Sequence, residues 1–310
     1  MNKKVAVIIP TFNRKILLLE CLVSLTKQTY KPLTVFICDN KSTDGTMRYL
    51  SDNGFLNSVV NGIAYKYLQM PINGGGAMGF SIGMKMAYNE NIYDAFWMMD
   101  DDGIPAYNCL EILLEYIDRY NYVSPIVMNK ENKRELVAPV LGSTDPRILK
   151  TVYRNNMVLK GYCNPFNGGL YSKKIVDIVG FPKQELFIYG DEMNYYQRCI
   201  DAGYLPVGIY EAIHYHPRFK TDNLISFGHV VAFRPIELTM YCQWRNSIYN
   251  KKIRFKKNPF VTIFKILGYL FMHTIFFILK KPSFKWLCLF YKASFAGLFD
   301  LWGGQYKYIK

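Results

Sequence analysis

No two cysteines stand at the CxxC spacing of a structural metal site or redox pair. The seven lie scattered at positions 21, 38, 109, 163, 199, 242 and 288. An odd count, with several inside apolar runs, excludes a disulfide-stapled secreted fold and reads as reduced thiols in the cytoplasm. The N-terminal apolar stretch is too short for a signal peptide and has the look of a strand. Internal repeats and low-complexity segments are absent, which excludes solenoid and fibrous architectures. The glycine cluster at 73–79 matches neither a Walker loop nor GxGxxG, so neither common phosphate-binding motif is present. Acidic residues are scarce in one region only. From residue 243 onward there are 13 Lys and Arg against a single acid, Asp300, a net of +12, while the preceding 242 residues carry +2.

The residues that are present fit a folded domain. Half of the 310 residues are apolar and 16% are aromatic, which rules out disorder and gives core enough for one or two domains. Residues 5–9 are an apolar, β-branched run of the kind found in buried parallel strands. Helical spacing follows over 16–26, then a strand at 33–38, a capped helix after 42–46, a strand at 63–68, a helix from the glycine cluster to about residue 88, and a strand at 93–99. This alternation predicts a largely parallel sheet with helices on both faces. The later half is less regular. Strands are expected at 121–128, 135–140, 205–210 and 212–216, and helices at 173–179, 189–202 and 235–249.

The strand at 93–99 ends in Asp100-Asp101-Asp102-Gly103. Three adjacent carboxylates repel one another, and a divalent cation offsets that repulsion, oxygen ligands suiting Mg²⁺ or Mn²⁺. The alternative is a solvated acidic turn, yet the triplet arrives at the carboxyl end of a strand, where open α/β sheets bind ligands. Pro10-Thr11-Phe12-Asn13-Arg14 and Asp39-Asn40 also sit at strand ends. Asp39 either accepts the imide N–H of a pyrimidine or caps a helix. The segment 73–79 either brings backbone amides to a phosphate or is a plain turn. Asp191-Glu192, in the first turn of a helix, serve as a general base or as helix caps. His214 and His216 lie on a strand whose alternation is expected to put the imidazoles on opposite or twisted-apart faces, so that only one reaches the acid cluster.

In order and spacing, VIIPTFNR, CDNKSTDGT, NGGGAMGF, MMDDDG, FNGGL, FIYGDEMNYYQRCIDAGY and the late HYH resemble the inverting family 2 glycosyltransferases of GT-A fold. The resemblance covers about residues 4–250. The Asp triplet, the Asn73 segment and the Arg245-Asn246 pair resemble its bacterial galactofuranosyltransferase and rhamnosyltransferase branch. It implies that Pro10, Thr11, Asn13, Arg14 and Asp39 hold the nucleoside, and that Asn73, Gly74, Gly75 and Gly76 lie along the diphosphate. Asp100, Asp102 and His216 are implied to bind Mn²⁺ or Mg²⁺, with Asp101 beside sugar or ribose. Phe166, Asn167, Gly168, Gly169 and Arg245 are implied to border the acceptor. The base maps to Glu192, with Asp191 second. The chain departs from the pattern at Asn194, where the family carries a further acid.

The implied activity is transfer of a sugar, with galactofuranose from UDP-galactofuranose as the first expectation, to a lipid-linked glycan in bacterial surface polysaccharide synthesis. Rhamnosyl or other hexosyl transfer from dTDP-rhamnose or a UDP-hexose is the alternative. A non-catalytic protein that binds nucleotide-sugar or membrane is the alternative from another class. The expected division is a catalytic domain at 1–235, with a donor half (1–103) and an acceptor half (104–235), and a helical extension at 236–310. Residues 260–279 carry one lysine among many aromatics and are flanked by further lysines. Their length would permit a membrane span, and a helical subdomain packed on the catalytic core with its lysines in water is a further alternative. The flanking lysines favour a helix lying on the anionic cytoplasmic face of the plasma membrane, with no nucleic-acid partner.

Overall fold

The computed structural model describes residues 3–218, 222–226 and 229–309. Along the chain run β1 (Val5–Thr11), α1 (Lys15–Thr26), β2 (Thr34–Asp39), α2 (Thr46–Asp52), β3 (Val59–Val60), β4 (Ile63–Gln69), α3 (Gly75–Asn89), β5 (Ala95–Met98) and β6 (Ile104–Pro105). Then come α4 (Cys109–Tyr120), β7 (Tyr122–Asn129), α5 (Arg147–Val152), β8 (Val158–Lys160), β9 (Gly169–Ser172), α6 (Lys173–Val179), α7 (Asp191–Asp201) and β10 (Val207–His216). The chain closes with β11 (Asp222–Ser226), β12 (His229–Phe233), α8 (Glu237–Arg254), α9 (Pro259–Ile275) and α10 (Phe284–Leu298).

The main sheet has the order β3-β4-β2-β1-β5-β9-β7-β10-β6, with β8 on β10. Pairings β4/β2, β2/β1, β1/β5 and β7/β10 are parallel. Alternation along each strand sorts its side chains to two faces. Val5, Val7, Ile9, Val35, Ile37 and Trp97 join residues of α1 and α4 in one core. Ala6, Ile8, Phe36, Cys38, Phe96 and Met98 join residues of α3, α6 and α7 in another. The expected GT-A architecture, a largely parallel sheet covered on both faces and followed by a helical extension, is therefore what the chain forms.

Two sequence expectations fail locally. Residues 135–140 make only isolated bridges, Met128 to Leu136 and Val140 to Ser143, because Pro139 offers no N–H to a ladder. The two strands expected at 205–210 and 212–216 are one, β10, whose register against β7 shifts between Ile209 and Ile213. A β-bulge of this kind re-aims the side chains beyond it.

The chain divides into two compact units, 1–184 with 195–219, and 185–194 with 220–310. The sequence placed 185–194 in the catalytic domain, whereas by packing it belongs with the C-terminal helices. The second unit has an aromatic core of its own, formed by Phe187, Phe233, Trp244, Phe276, Phe277 and Phe290 among others.

Candidate active site

The Asp triplet follows β5 after Met99, and two residues later β6 pairs antiparallel with β10, Pro105 opposite His214 and Ile104 opposite Tyr215. That short pairing folds the turn back onto the end of β10. His216 Nε2 there lies 3.0 Å from Asp102 Oδ1 and 3.6 Å from Asp100 Oδ2. One ligand atom from each of Asp100, Asp102 and His216 lies within 4.8 Å of the others. His216 Nδ1 stands 2.7 Å from the Pro217 carbonyl, which orients the ring with Nε2 toward the carboxylates. Burial opposes a charge on His216, but hydrogen bonds to Asp100 and Asp102 overcome it and push the pKa up to about 10. Burial likewise works against ionised Asp102, and the bond to His216 outweighs it, holding that carboxyl below its usual range. Two carboxylate oxygens and an imidazole nitrogen form a donor set that suits Mn²⁺ or Mg²⁺, the imidazole favouring Mn²⁺.

His214 and His216 share one face of β10, as the pleat requires of residues two apart, and differ in depth instead of side. His214 is fully buried, and burial pushes its pKa down to about 3. Its ring lies between two glycines. A Cβ on Gly103 would stand 2.4 Å from Nε2, and one on Gly168 would stand 3.0 Å from Nδ1. The glycine closing the Asp turn is therefore required by the imidazole beneath it.

Asp101 is turned away from the ligand set. Its Oδ2 accepts from Thr11 Oγ1 at 2.7 Å and its Oδ1 from Arg14 Nη1 at 3.1 Å, and the same nitrogen reaches Asp102 Oδ2 at 3.0 Å. Burial raises the Asp101 pKa to about 7 against the opposing pull of Arg14. Thr11, Arg14 and the triplet thus form one network at the ends of β1 and β5. Asn13 takes the turn-building part, with φ of 55° and its Oδ1 accepting the Thr43 N–H at 2.7 Å. Asp39 is buried. Its Oδ1 accepts from the Ser42 N–H at 2.8 Å, and Oδ2 accepts from Tyr67 Oη. Sequence reasoning missed Tyr67, since only the β2/β4 register brings that ring to the end of β2.

The glycine segment opens α3. Asn73 Oδ1 accepts the Gly75 N–H at 3.0 Å, and a Cβ at Gly76 would meet open space. Gly79 lies so close to Pro10 that a Cβ would stand 2.7 Å from that ring, which brings the start of α3 against the end of β1. The expected acceptor loop is stitched to β5. Gly168 N–H donates to the Met98 carbonyl at 2.9 Å, and Trp97 Nε1 donates to the Gly168 carbonyl at 2.8 Å. Gly169 opens β9, opposite Met98, and Asn167 is half-buried. Phe166, expected to border an acceptor, is instead core. It is buried against Phe80, ring centroids 4.4 Å apart, and Tyr195.

In the second unit, Asp191 is buried and Glu192 is half-buried, its Oε2 accepting the Gly190 N–H at 2.8 Å. Asn194, at the position of the missing acid, donates through Nδ2 to Asn250 Oδ1 at 3.0 Å, a donor that an aspartate would lack. Arg245 is fully buried and bonds to Asn246 Oδ1, Gln305 Oε1 and the carbonyls of Glu185 and Leu186. It is therefore not exposed to an acceptor as expected, because those oxygens already occupy its guanidinium.

Comparison with known proteins gives a consistent result. The profile of glycosyl transferase family 2 matches residues 6–179. The galactofuranosyltransferase GlfT1 of Mycolicibacterium smegmatis is 32% identical over 213 residues, which cover 66% of this chain and 67% of that protein. Among solved structures, S. aureus TarS 1–349 in complex with UDP superposes with a TM-score of 0.55 at 18% identity, covering 94% of this chain and 80% of TarS. The mannosyltransferase PcManGT from Pyrobaculum calidifontis, in complex with GDP-Man and Mn²⁺, gives 0.56 at 16% identity, covering 97% and 88%.

Proposed function

The chain belongs to glycosyl transferase family 2, and on that premise we propose that it is a metal-dependent, inverting galactofuranosyltransferase that uses UDP-galactofuranose and acts on a lipid-linked glycan. The observation that carries the metal dependence is the Asp100, Asp102 and His216 ligand set. The sugar follows from the relative at 32% identity, a galactofuranosyltransferase. A metal ion held by that set supplies positive charge for the departing diphosphate.

The remaining roles fall to side chains and amides of this chain. Asp39 and Thr11 hold the nucleoside, and Arg14 lies beside the triplet as a further cation. Amides at Gly74, Gly75 and Gly76 open α3 and favour the diphosphate there. Glu192, with Asp191 second, takes the proton of the acceptor hydroxyl. The acceptor oxygen forms its bond to the anomeric carbon as the bond from that carbon to the diphosphate oxygen breaks. Attack from the opposite face inverts the centre, and no covalent enzyme intermediate forms.

The acceptor reading draws on the second unit. Residues 259–280 form a helix of mean hydropathy 1.8, long and apolar enough to cross a membrane, with 17% of its most apolar window buried. Phe260, Phe264, Leu267 and Phe271 are exposed along one stripe of α9, and Phe284, Tyr291, Phe295 and Phe299 are exposed on α10 or at its end. With Lys256, Lys257, Lys280, Lys281 and Lys285 at the flanks, this pattern supports a helix pair seated in the plane of an anionic leaflet. Hydrolysis measured over a panel of nucleotide-sugars with Mn²⁺ tests the donor. Nucleotide release from UDP-galactofuranose well above the rest is expected. Release from dTDP-rhamnose or UDP-glucose instead reassigns the sugar, and release from none overturns the enzymatic reading.

A further inference from the structure

Segment 185–190, which delivers Asp191-Glu192, has three left-handed residues in four: Phe187 at φ 69°, Tyr189 at 58° and Gly190 at 92°. That conformation disfavours side chains as bulky as Phe and Tyr, so local preference does not set this loop. What sets it is a row of side chains on α8. Asn246 Nδ2 lies 2.8, 3.0 and 2.6 Å from the carbonyls of Leu186, Ile188 and Tyr189. Asn250 Nδ2 donates to the Gly190 carbonyl at 2.8 Å. Arg245 donates to the Glu185 and Leu186 carbonyls at 3.2 and 2.8 Å and to Gln305 Oε1, near the C-terminus.

Arg245 is fully buried between Tyr241 and Trp302, and among the described residues its partners are neutral oxygens. A buried cation without a carboxylate is a poor source of stability, and an apolar side chain would pack the same space at lower cost. What the guanidinium supplies is a fixed geometry for the carbonyls it holds. That geometry reaches Glu192, because the last N–H of the loop, on Gly190, donates to the Glu192 carboxylate.

We propose that Asn246 and Arg245, assisted by Asn250 and Gln305, are positioning residues that hold a strained loop so that its Gly190 N–H fixes the Glu192 carboxylate for proton transfer. The proposal rests on the reading of Glu192 or Asp191 as the general base. It gives the C-terminal helices a part in the chemistry separate from any membrane role, and it explains why Arg245 and Asn246 face inward.

The test is a double-mutant cycle on the full chain, with UDP release from UDP-galactofuranose as readout and UDP–Mn²⁺ titration as the binding control. Asn246→Ala should lower kcat by about 10- to 100-fold, change KM for the donor less than threefold, and leave UDP–Mn²⁺ binding intact. In the Glu192→Gln background the same substitution should cost less than threefold more, since the group it positions is already disabled. Gln305→Glu, which keeps an acceptor for Arg245, should retain kcat, and Gln305→Leu should lose it. Asn250→Ala carries the cycle if Asn246→Ala does not fold. Wild-type kcat in folded Asn246→Ala, or an equal loss with and without Glu192→Gln, overturns the proposal, as does failure of both asparagine variants to fold. Full activity in both Glu192→Gln and Asp191→Asn refutes the base reading itself.

Discussion

Adding one methyl group at Gly103 tests how the metal ligands are held. An alanine Cβ there would lie 2.4 Å from His214 Nε2, 2.8 Å from Cε1 and 3.3 Å from the Asp100 carbonyl oxygen. Ordinary contacts begin near 3.4 Å, so the intrusion is about 1 Å. His214 is fully buried, and on its other side a Cβ at Gly168 would already stand 3.0 Å from Nδ1, so withdrawal of the ring is restricted. The strain is therefore divided between the β10 backbone and the Asp turn, at the usual overpacking cost of about 1–3 kcal/mol. Melting of the first unit should fall by about 2–10 °C. Any part of the strain relieved by moving Asp100 or Asp102 appears instead as weaker Mn²⁺ affinity, tenfold for each ~1.4 kcal/mol. Scanning calorimetry of Gly103→Ala, with and without Mn²⁺, should show a lower melting temperature and a smaller stabilisation by the metal. Gly103→Ala/His214→Ala should recover much of both, since the clashing ring is gone. A single variant that melts like wild type, with the full Mn²⁺ shift, would refute the packing argument.

Asp102→Ala should abolish turnover, whereas Asp52→Ala, outside every motif, should not. Full activity of the wild type in excess chelator would remove the case for a metal. Glu192→Gln should keep nucleotide-sugar binding while transfer falls by about two to four orders of magnitude, and an inactive Asp191→Asn beside an active Glu192→Gln would reverse the assignment. His214 is held neutral with its pKa near 3, below the unfolded value near 6.5. Its contribution is therefore complete above pH 6.5 and lost as pH falls toward 3. Between pH 7 and 5 the wild type should lose about 2 kcal/mol more stability than His214→Leu in urea unfolding, and equal slopes would contradict the burial argument. Flotation with liposomes should require anionic lipid and weaken without vanishing at high salt, because the aromatic stripes add burial that salt does not screen. Equal flotation on neutral vesicles would reject the electrostatic part, and extraction by detergent alone would favour a spanning helix.

The alternating strands and helices from residue 5 to 98 were legible chiefly because β1, β2 and β5 are buried on both faces and so read as apolar runs. The Asp triplet was legible for the opposite reason, since three like charges at the end of such a run need an explanation at once. His216 was distinguished from His214 only through resemblance. Its approach to Asp102 depends on the two-residue pairing of β6 with β10, which no local pattern announces. Residues 135–140 have a strand-like apolar composition, but Pro139 has no N–H to give to a ladder.

What the sequence determined by itself were the properties carried by composition and short-range order: the parallel sheet, the turn chemistry at strand ends, the acid cluster and the basic, aromatic C-terminal part. Tertiary structure alone decided which face each side chain took and what stood opposite it. It buried Phe166 and Arg245, which the sequence had offered to an acceptor, and set Tyr67 against Asp39. It also gave the loop before Asp191 to the C-terminal unit, sixty residues away from its partners Asn246 and Asn250. The physical reason is that propensity and periodicity act over a few residues, whereas burial and hydrogen-bond pairing are settled between segments far apart in the chain, whose registers are fixed only once the whole is folded.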